Sequence, residues 1–209
     1  MKALLTMTFG AAILVATTGQ ALADAAAGKA VFDAKGCADC HYTEGPAREK
    51  IIDDQLAKKG PELWYAGSKF QKDWLSGWLV DPKPIRPMKF NDLMVENPGD
   101  HPKLGGGDAG PVRDFLMSLT SKDVKAGKVK PKKNPKGRQI FAKKMPCSGC
   151  HEYVGRKKKI MGGRSGPSLV EAGIRLNPDW ILAYLQKPKV FKPVKMMPVF
   201  VGLLSDKDM

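Results

Sequence analysis

Residues 37–41 read CADCH and residues 147–151 read CSGCH, and these two stretches hold all four cysteines of the 209-residue chain and two of its three histidines. An even cysteine count in an exported chain commonly signals a disulfide framework. The spacing argues otherwise. Each pair is Cys-x-x-Cys, and each is followed at once by His. Zinc sites and thioredoxin-like redox pairs also use Cys-x-x-Cys, but neither accounts for the adjoining histidine twice over.

The complete pattern C-x-x-C-H is the attachment signal for a c-type haem: two thiols add across the porphyrin vinyl groups and the next residue becomes an axial iron ligand. Cys37, Cys40, Cys147 and Cys150 are therefore expected to carry two covalently bound haem c groups, with His41 and His151 as proximal ligands. Such attachment takes place on the exported side of a membrane, and the N-terminus carries a matching address. Lys2 precedes an apolar run from Ala3 to Ala16, followed by a small-residue site at Ala21-Leu22-Ala23. This order of charged, apolar and small segments is that of a cleaved signal peptide. The run is interrupted by Thr6, Thr8 and Gly10 and is short of the roughly 20 apolar residues of a spanning helix. Residues 1–23 are thus expected to be removed before Asp24, leaving a periplasmic protein.

The mature chain is a tandem duplication. "GKAVFDAKGCADCH" from Gly28 aligns with "GRQIFAKKMPCSGCH" from Gly137, and "GPELWYAGSKFQKDWLSGWLVDP" from Gly60 aligns without a gap with "GPSLVEAGIRLNPDWILAYLQKP" from Gly166. A repeat of this kind must be recognised before any fold is assigned. Val31 and Phe32 suit a short first helix ending at Gly36. Trp74, Leu75, Trp78 and Leu79 share one side of a helix stopped by Asp81-Pro82, and Ile181, Leu182 and Leu185 repeat the pattern before Pro188. No stretch alternates convincingly in the manner of a strand. The expected fold is all-α: a first domain over 24–120, a basic Lys/Pro linker over 121–136 and a second domain over 137–209. Units so small bury little apolar surface, so a haem is expected at the centre of each.

Each half resembles a class I cytochrome c, and the whole resembles a dihaem member of that family. The resemblance covers nearly all of the mature chain. It implies that the prolines of Gly60-Pro61 and Gly166-Pro167 present their carbonyls to His41 and His151, the outer-shell control expected of a metal-bound imidazole. Trp74 and Trp180 would pack near the haems. It also implies a distal methionine. Met197, directly before Pro198, fits the family pattern better than Met196; Met88 lies at nearly the same place in the first repeat, although there the proline precedes the methionine. Met94 and His101 are alternatives for the first site. No cysteine is left over as a ligand, and His101 limits bis-histidine ligation to one haem.

Residues 121–144 hold ten basic side chains against Asp123, and the formal net charge is +14. The Lys/Pro composition reads as an extended, self-repelling linker. Its field would steer the protein toward redox partners with acidic docking surfaces, or toward an anionic membrane surface; nucleic acid is not an expected partner of an exported protein. The first repeat closes with an amphipathic helix carrying Val112, Phe115, Leu116 and Leu119. In the second, Ser205 and Asp208 resemble the start of a matching helix with no body, so Ile140 and Phe141 are expected to lack a partner and the second domain to be the looser. An electron carrier shuttling single electrons is the expected function. The alternative is a peroxidase-like enzyme, or a subunit of a reductase or oxidase complex, with one open haem iron.

Overall fold

The computed structural model describes residues 12–205 except 133, 195, 196, 198, 199 and 201. Residues 1–11 of the expected signal segment, together with Met196, Pro198 and Asp208, lie outside the described residues. The chain is mostly helical. Helix α1 spans Ala12–Ala34, passing through the expected cleavage site, and Gly36 follows it at φ 68°, the left-handed conformation in which glycine ends helices at no steric cost. Four helices complete the first repeat: α2 (Ile52–Leu56), α3 (Ala66–Lys69), α4 (Lys72–Val80) and α5 (Gly106–Ser118). The second repeat contains α6 (Pro135–Gln139), a π-helical turn at Ile140–Lys144, α7 (Cys147–Cys150), α8 (Ala172–Arg175), α9 (Pro178–Gln186) and α10 (Pro188–Phe191). Among the described residues no helix is long and apolar enough to cross a membrane.

The second repeat corrects the expectation of a strand-free chain. Tyr153–Val154 (β1) pairs antiparallel with Ile160–Met161 (β2). Two-residue strands are too short for an alternating pattern to announce them. They are joined through Lys157 and Lys158, both at positive φ.

In the first repeat α1 packs on α5. Val112, Phe115 and Leu116 turn inward from α5, and Phe32 meets Phe115 edge to face at 5.4 Å. Contact is close because Gly28 has no side chain: a Cβ there would lie 1.9 Å from the Pro111 carbonyl oxygen. The second repeat does not leave its opening segment bare. Ile140 is buried with Met145 and Phe200, and Phe141 meets Tyr153 at 5.2 Å, so both side chains expected to lack partners have them.

The two repeats join through equivalent positions. Phe70 and Leu176, which align in the duplication, form an isolated antiparallel bridge. The Gln71 amide donates to the Arg175 carbonyl at 2.9 Å, and the Asn177 amide donates to the Lys69 carbonyl at 2.8 Å. One aromatic cluster crosses the seam. Phe191, fully buried, packs against Trp64 and Tyr65 of the first repeat and Trp180 and Tyr184 of the second. Lys192 extends the link by pairing with Glu62, which also holds Lys58.

The linker is docked, a second correction. Val124 packs against the main core. The buried Asp179 carboxylate accepts the amides of Gly127 and Val129, both at 2.7 Å. Removing that acceptor forfeits two part-buried hydrogen bonds to a charged group, each worth about 1.5 kcal/mol. Asp179→Ala is therefore expected to lower the urea midpoint markedly and to raise amide exchange at Gly127 and Val129. Unchanged exchange there would show that the carboxylate does not hold the linker.

Candidate metal centres

Both C-x-x-C-H stretches fold as single helical turns. Cys37–Asp39 is a 3-10 turn and Cys147–Cys150 an α turn, with the His41 amide on the Cys37 carbonyl at 3.1 Å and the His151 amide on the Cys147 carbonyl at 3.0 Å. Positions i, i+3 and i+4 of such a turn share a face, so two cysteines and a histidine adjoin in each turn, although among the described residues no three His, Cys, Asp or Glu side chains are grouped closely enough to hold a metal ion by themselves. All four cysteines are free thiols. Burial raises the pKa of the Cys37 and Cys147 thiols.

Each imidazole is fixed by the proline that the resemblance singles out. Nδ1 of His41 donates to the Pro61 carbonyl at 2.8 Å, and Nδ1 of His151 donates to the Pro167 carbonyl at 2.7 Å. A carbonyl can only accept, so Nδ1 carries the hydrogen and Nε2 keeps the lone pair that binds a metal. Glycine makes the approach possible: a Cβ on Gly60 would sit 2.6 Å from His41 Cε1, and one on Gly166 would sit 2.7 Å from His151 Cε1. Burial lowers the pKa of His41, opposing the Pro61 hydrogen bond, and His101 lowers it further. The neutral, ligating form is thereby favoured.

The second motif has a further clamp that sequence reasoning missed. The Gly163 amide donates to the Ser148 carbonyl at 2.9 Å, and a Cβ on Gly163 would lie 1.8 Å from the Gly149 carbonyl oxygen. The glycine pair at 162–163 is the signal that could have revealed it.

The remaining predicted residues fall into two settings. Met197 is half-buried and packs against Ile140, Met145 and Phe200, as does Cys147. Met88 lies in a hairpin, bridged to Glu96, and that hairpin is anchored on the second repeat. The Ser168 amide donates to the Ile85 carbonyl, Arg86 to the Ser165 carbonyl, and Arg164 pairs with Glu96. Met94 is 90% exposed. Trp74 and Trp180 flank the seam, each under a cation from the opposite repeat: Lys69 lies 5.1 Å from the Trp180 ring centre and Arg175 lies 5.9 Å from that of Trp74.

This concentration of buried cations was not legible in the sequence. Burial pushes Lys69 down to about 7, with Lys192 and Arg175 adding repulsion, and pushes Lys192 down to about 8, with Arg86 adding to it. Burial also lowers Arg175 and Arg86. Arg86 Nε and Trp180 Nε1 are buried donors with no partner. Of these groups Arg175 lines a cleft of about 650 Å³, together with Trp74, Trp78, Glu152, Arg164 and Glu171. Cysteine pairs beside oriented imidazoles, with an unpartnered buried donor on Arg86, are residue types that suit a covalently attached haem and its carboxylates. Neither a family model, nor a curated protein, nor a solved structure matches the chain, so the site is read from its own residues and geometry.

Proposed function

We propose that this chain is an exported dihaem electron carrier, passing single electrons between redox partner proteins. One observation carries the reading. At two equivalent places in a duplicated chain, a Cys-x-x-Cys turn delivers a histidine whose Nδ1 is held by a proline carbonyl. A covalently bound haem c supplies a one-electron iron couple.

The chain's own part is to hold, orient and shield. Cys37 with Cys40, and Cys147 with Cys150, would anchor the two porphyrins. His41 and His151 would each ligate one iron through Nε2, while the prolines fix the ring planes and raise ligand basicity. Met197, beside the small apolar cluster of the second repeat, would close the far side of that site; Met/His ligation raises the reduction potential. Arg86 Nε, a buried donor with no partner, would be available to a propionate.

Residues 1–23 would direct export. On the surface, the exposed lysines 122, 125, 128, 130 and 132 lie along the docked linker, and their field favours an acidic partner surface or an anionic membrane and speeds encounter. The test is expression with a periplasmic cytochrome c maturation system. Pyridine haemochrome analysis should return two covalent haems per chain, and a reductive titration should be reversible without peroxide turnover. A chain that leaves the periplasm without covalent haem, or one that consumes peroxide catalytically, would overturn the proposal.

A further inference from the structure

We infer that His101, in place of Met88, is the second axial ligand of the iron bound at His41, so that the first repeat holds a bis-histidine haem and the second a methionine–histidine haem. The inference rests on the haem reading above. It comes from where the fold puts the third histidine. In the sequence, His101 sits in "NPGDHPKLGGGD", which reads as a polar surface turn. In the structure, its ring centre lies 6.0 Å from that of His41. Imidazole nitrogens bind transition metals at about 2 Å, which sets two rings on opposite sides of one ion roughly 6 Å apart, centre to centre.

The tautomer agrees with the spacing. Nδ1 of His101 donates to the Pro102 carbonyl at 2.9 Å, as Nδ1 of His41 does to Pro61. Both rings therefore keep the Nε2 lone pair for a metal. The loop is also held on both sides of the histidine. Before it, Gly99 adopts φ +71° beside Pro84, with its amide on the Asn97 side chain. After it, Lys103 pairs with Asp81, and the Leu104 amide donates to the Leu79 carbonyl while its side chain enters the core. Trp78, fixed through its indole N–H on the Lys83 carbonyl, supports the His101 ring at 4.7 Å. Such outer support is what holds a ligand in one orientation. The hairpin that carries Met88 is tied instead to Ser165 and Ser168 of the second repeat.

The two sites would then differ in potential, because a sulfur ligand raises it relative to a second imidazole. The first repeat would hold the low-potential haem and the second the high-potential one.

The test uses the full-length holoprotein with His101→Ala, His101→Met and Met88→Ala. In the wild type, the near-infrared sulfur-to-iron band should have the intensity of one methionine-ligated haem per chain, and reduction should proceed in two separated steps. His101→Ala should turn one haem high-spin and open to cyanide, and added imidazole should restore the low-spin spectrum. His101→Met should add sulfur-band intensity, and Met88→Ala should leave the spectrum unchanged. A wild-type sulfur band worth two haems, or a high-spin haem produced by Met88→Ala, would overturn the inference with the haem reading intact. Absence of covalent haem from the wild type would instead remove the reading on which it rests.

Discussion

On the proposed dihaem reading, replacing Cys147 and Cys150 together with alanine is expected to remove one haem per chain and to unfold most of the segment from residue 137 to 163, leaving the first repeat folded. The large cluster draws on both repeats, taking in Leu176, Trp180, Ala183 and Phe191 of the second, but the opening segments of the two repeats do not share apolar support equally. Phe32, Leu75, Leu79, Val112, Phe115 and Leu116 all lie in the large cluster, whereas Ile140, Met145 and Phe200 form a separate cluster of three. Each fully buried apolar side chain contributes about 1.5–3 kcal/mol, while ordering the backbone costs about 1–2 kcal/mol per residue. Within this segment only Ile140 and Met145 are buried apolar side chains, joined by Phe200 from outside it, so on the proposed reading the segment depends on its covalent group. Cys37→Ala with Cys40→Ala should also remove one haem, but with α1 and α5 still packed. Haemochrome quantitation and hydrogen exchange on both double variants check this. Two haems retained, or equal loss of protection in the two repeats, would contradict it.

Gly28→Ala and Gly137→Ala should shift stability in opposite directions, although the two glycines are aligned in the duplication. At Gly28 the new methyl group meets the Pro111 carbonyl and Phe115 Cβ, the latter at 2.8 Å. The contact is with backbone, so α1 and α5 must separate, an overpacking cost of about 1–3 kcal/mol or more. At Gly137 the nearest atom is Asn134 Cβ at 3.9 Å, and exchanging glycine for alanine inside a helix gains about 1 kcal/mol. Urea denaturation followed by tryptophan fluorescence decides the matter. Stabilisation by Gly28→Ala would mean that the α1–α5 contact is not as close as described, and destabilisation by Gly137→Ala that the open space at Gly137 is misjudged.

The parts of this architecture legible in the sequence are the local and the repeated ones. The helices around Trp74 and Trp180 follow from apolar spacing. The meeting of each histidine with a proline carbonyl was expected from the recurrence of Gly-Pro at matching positions of a family-like pattern, and it is seen at both His41 and His151. What lay hidden depends on contacts between distant residues or on elements too short to be periodic. The Phe70–Leu176 bridge and the stacking of Lys69 on Trp180 join chain segments more than a hundred residues apart. The β1–β2 hairpin has two residues per strand. The loop around His101 is polar in composition, and its anchors at Asp81 and Leu79, which bring His101 beside His41, are not visible in that composition. The Lys/Pro linker looked free because composition cannot reveal that Asp179 accepts two of its amides.

The seam between the repeats is isologous in form: the same patch meets its own copy, as in a two-fold symmetric dimer of identical subunits. Joining the copies in one chain released each side from identity with the other, and the sides have diverged at Phe70 and Leu176, at Gln71 and Asn177, and at Lys69 and Arg175. The last pair changes the chemistry. An arginine keeps its charge at any physiological pH, whereas burial brings the Lys69 ammonium down to about 7. One flank of an otherwise symmetric joint therefore carries a permanent charge, and the other carries a charge that can be withdrawn by losing a proton.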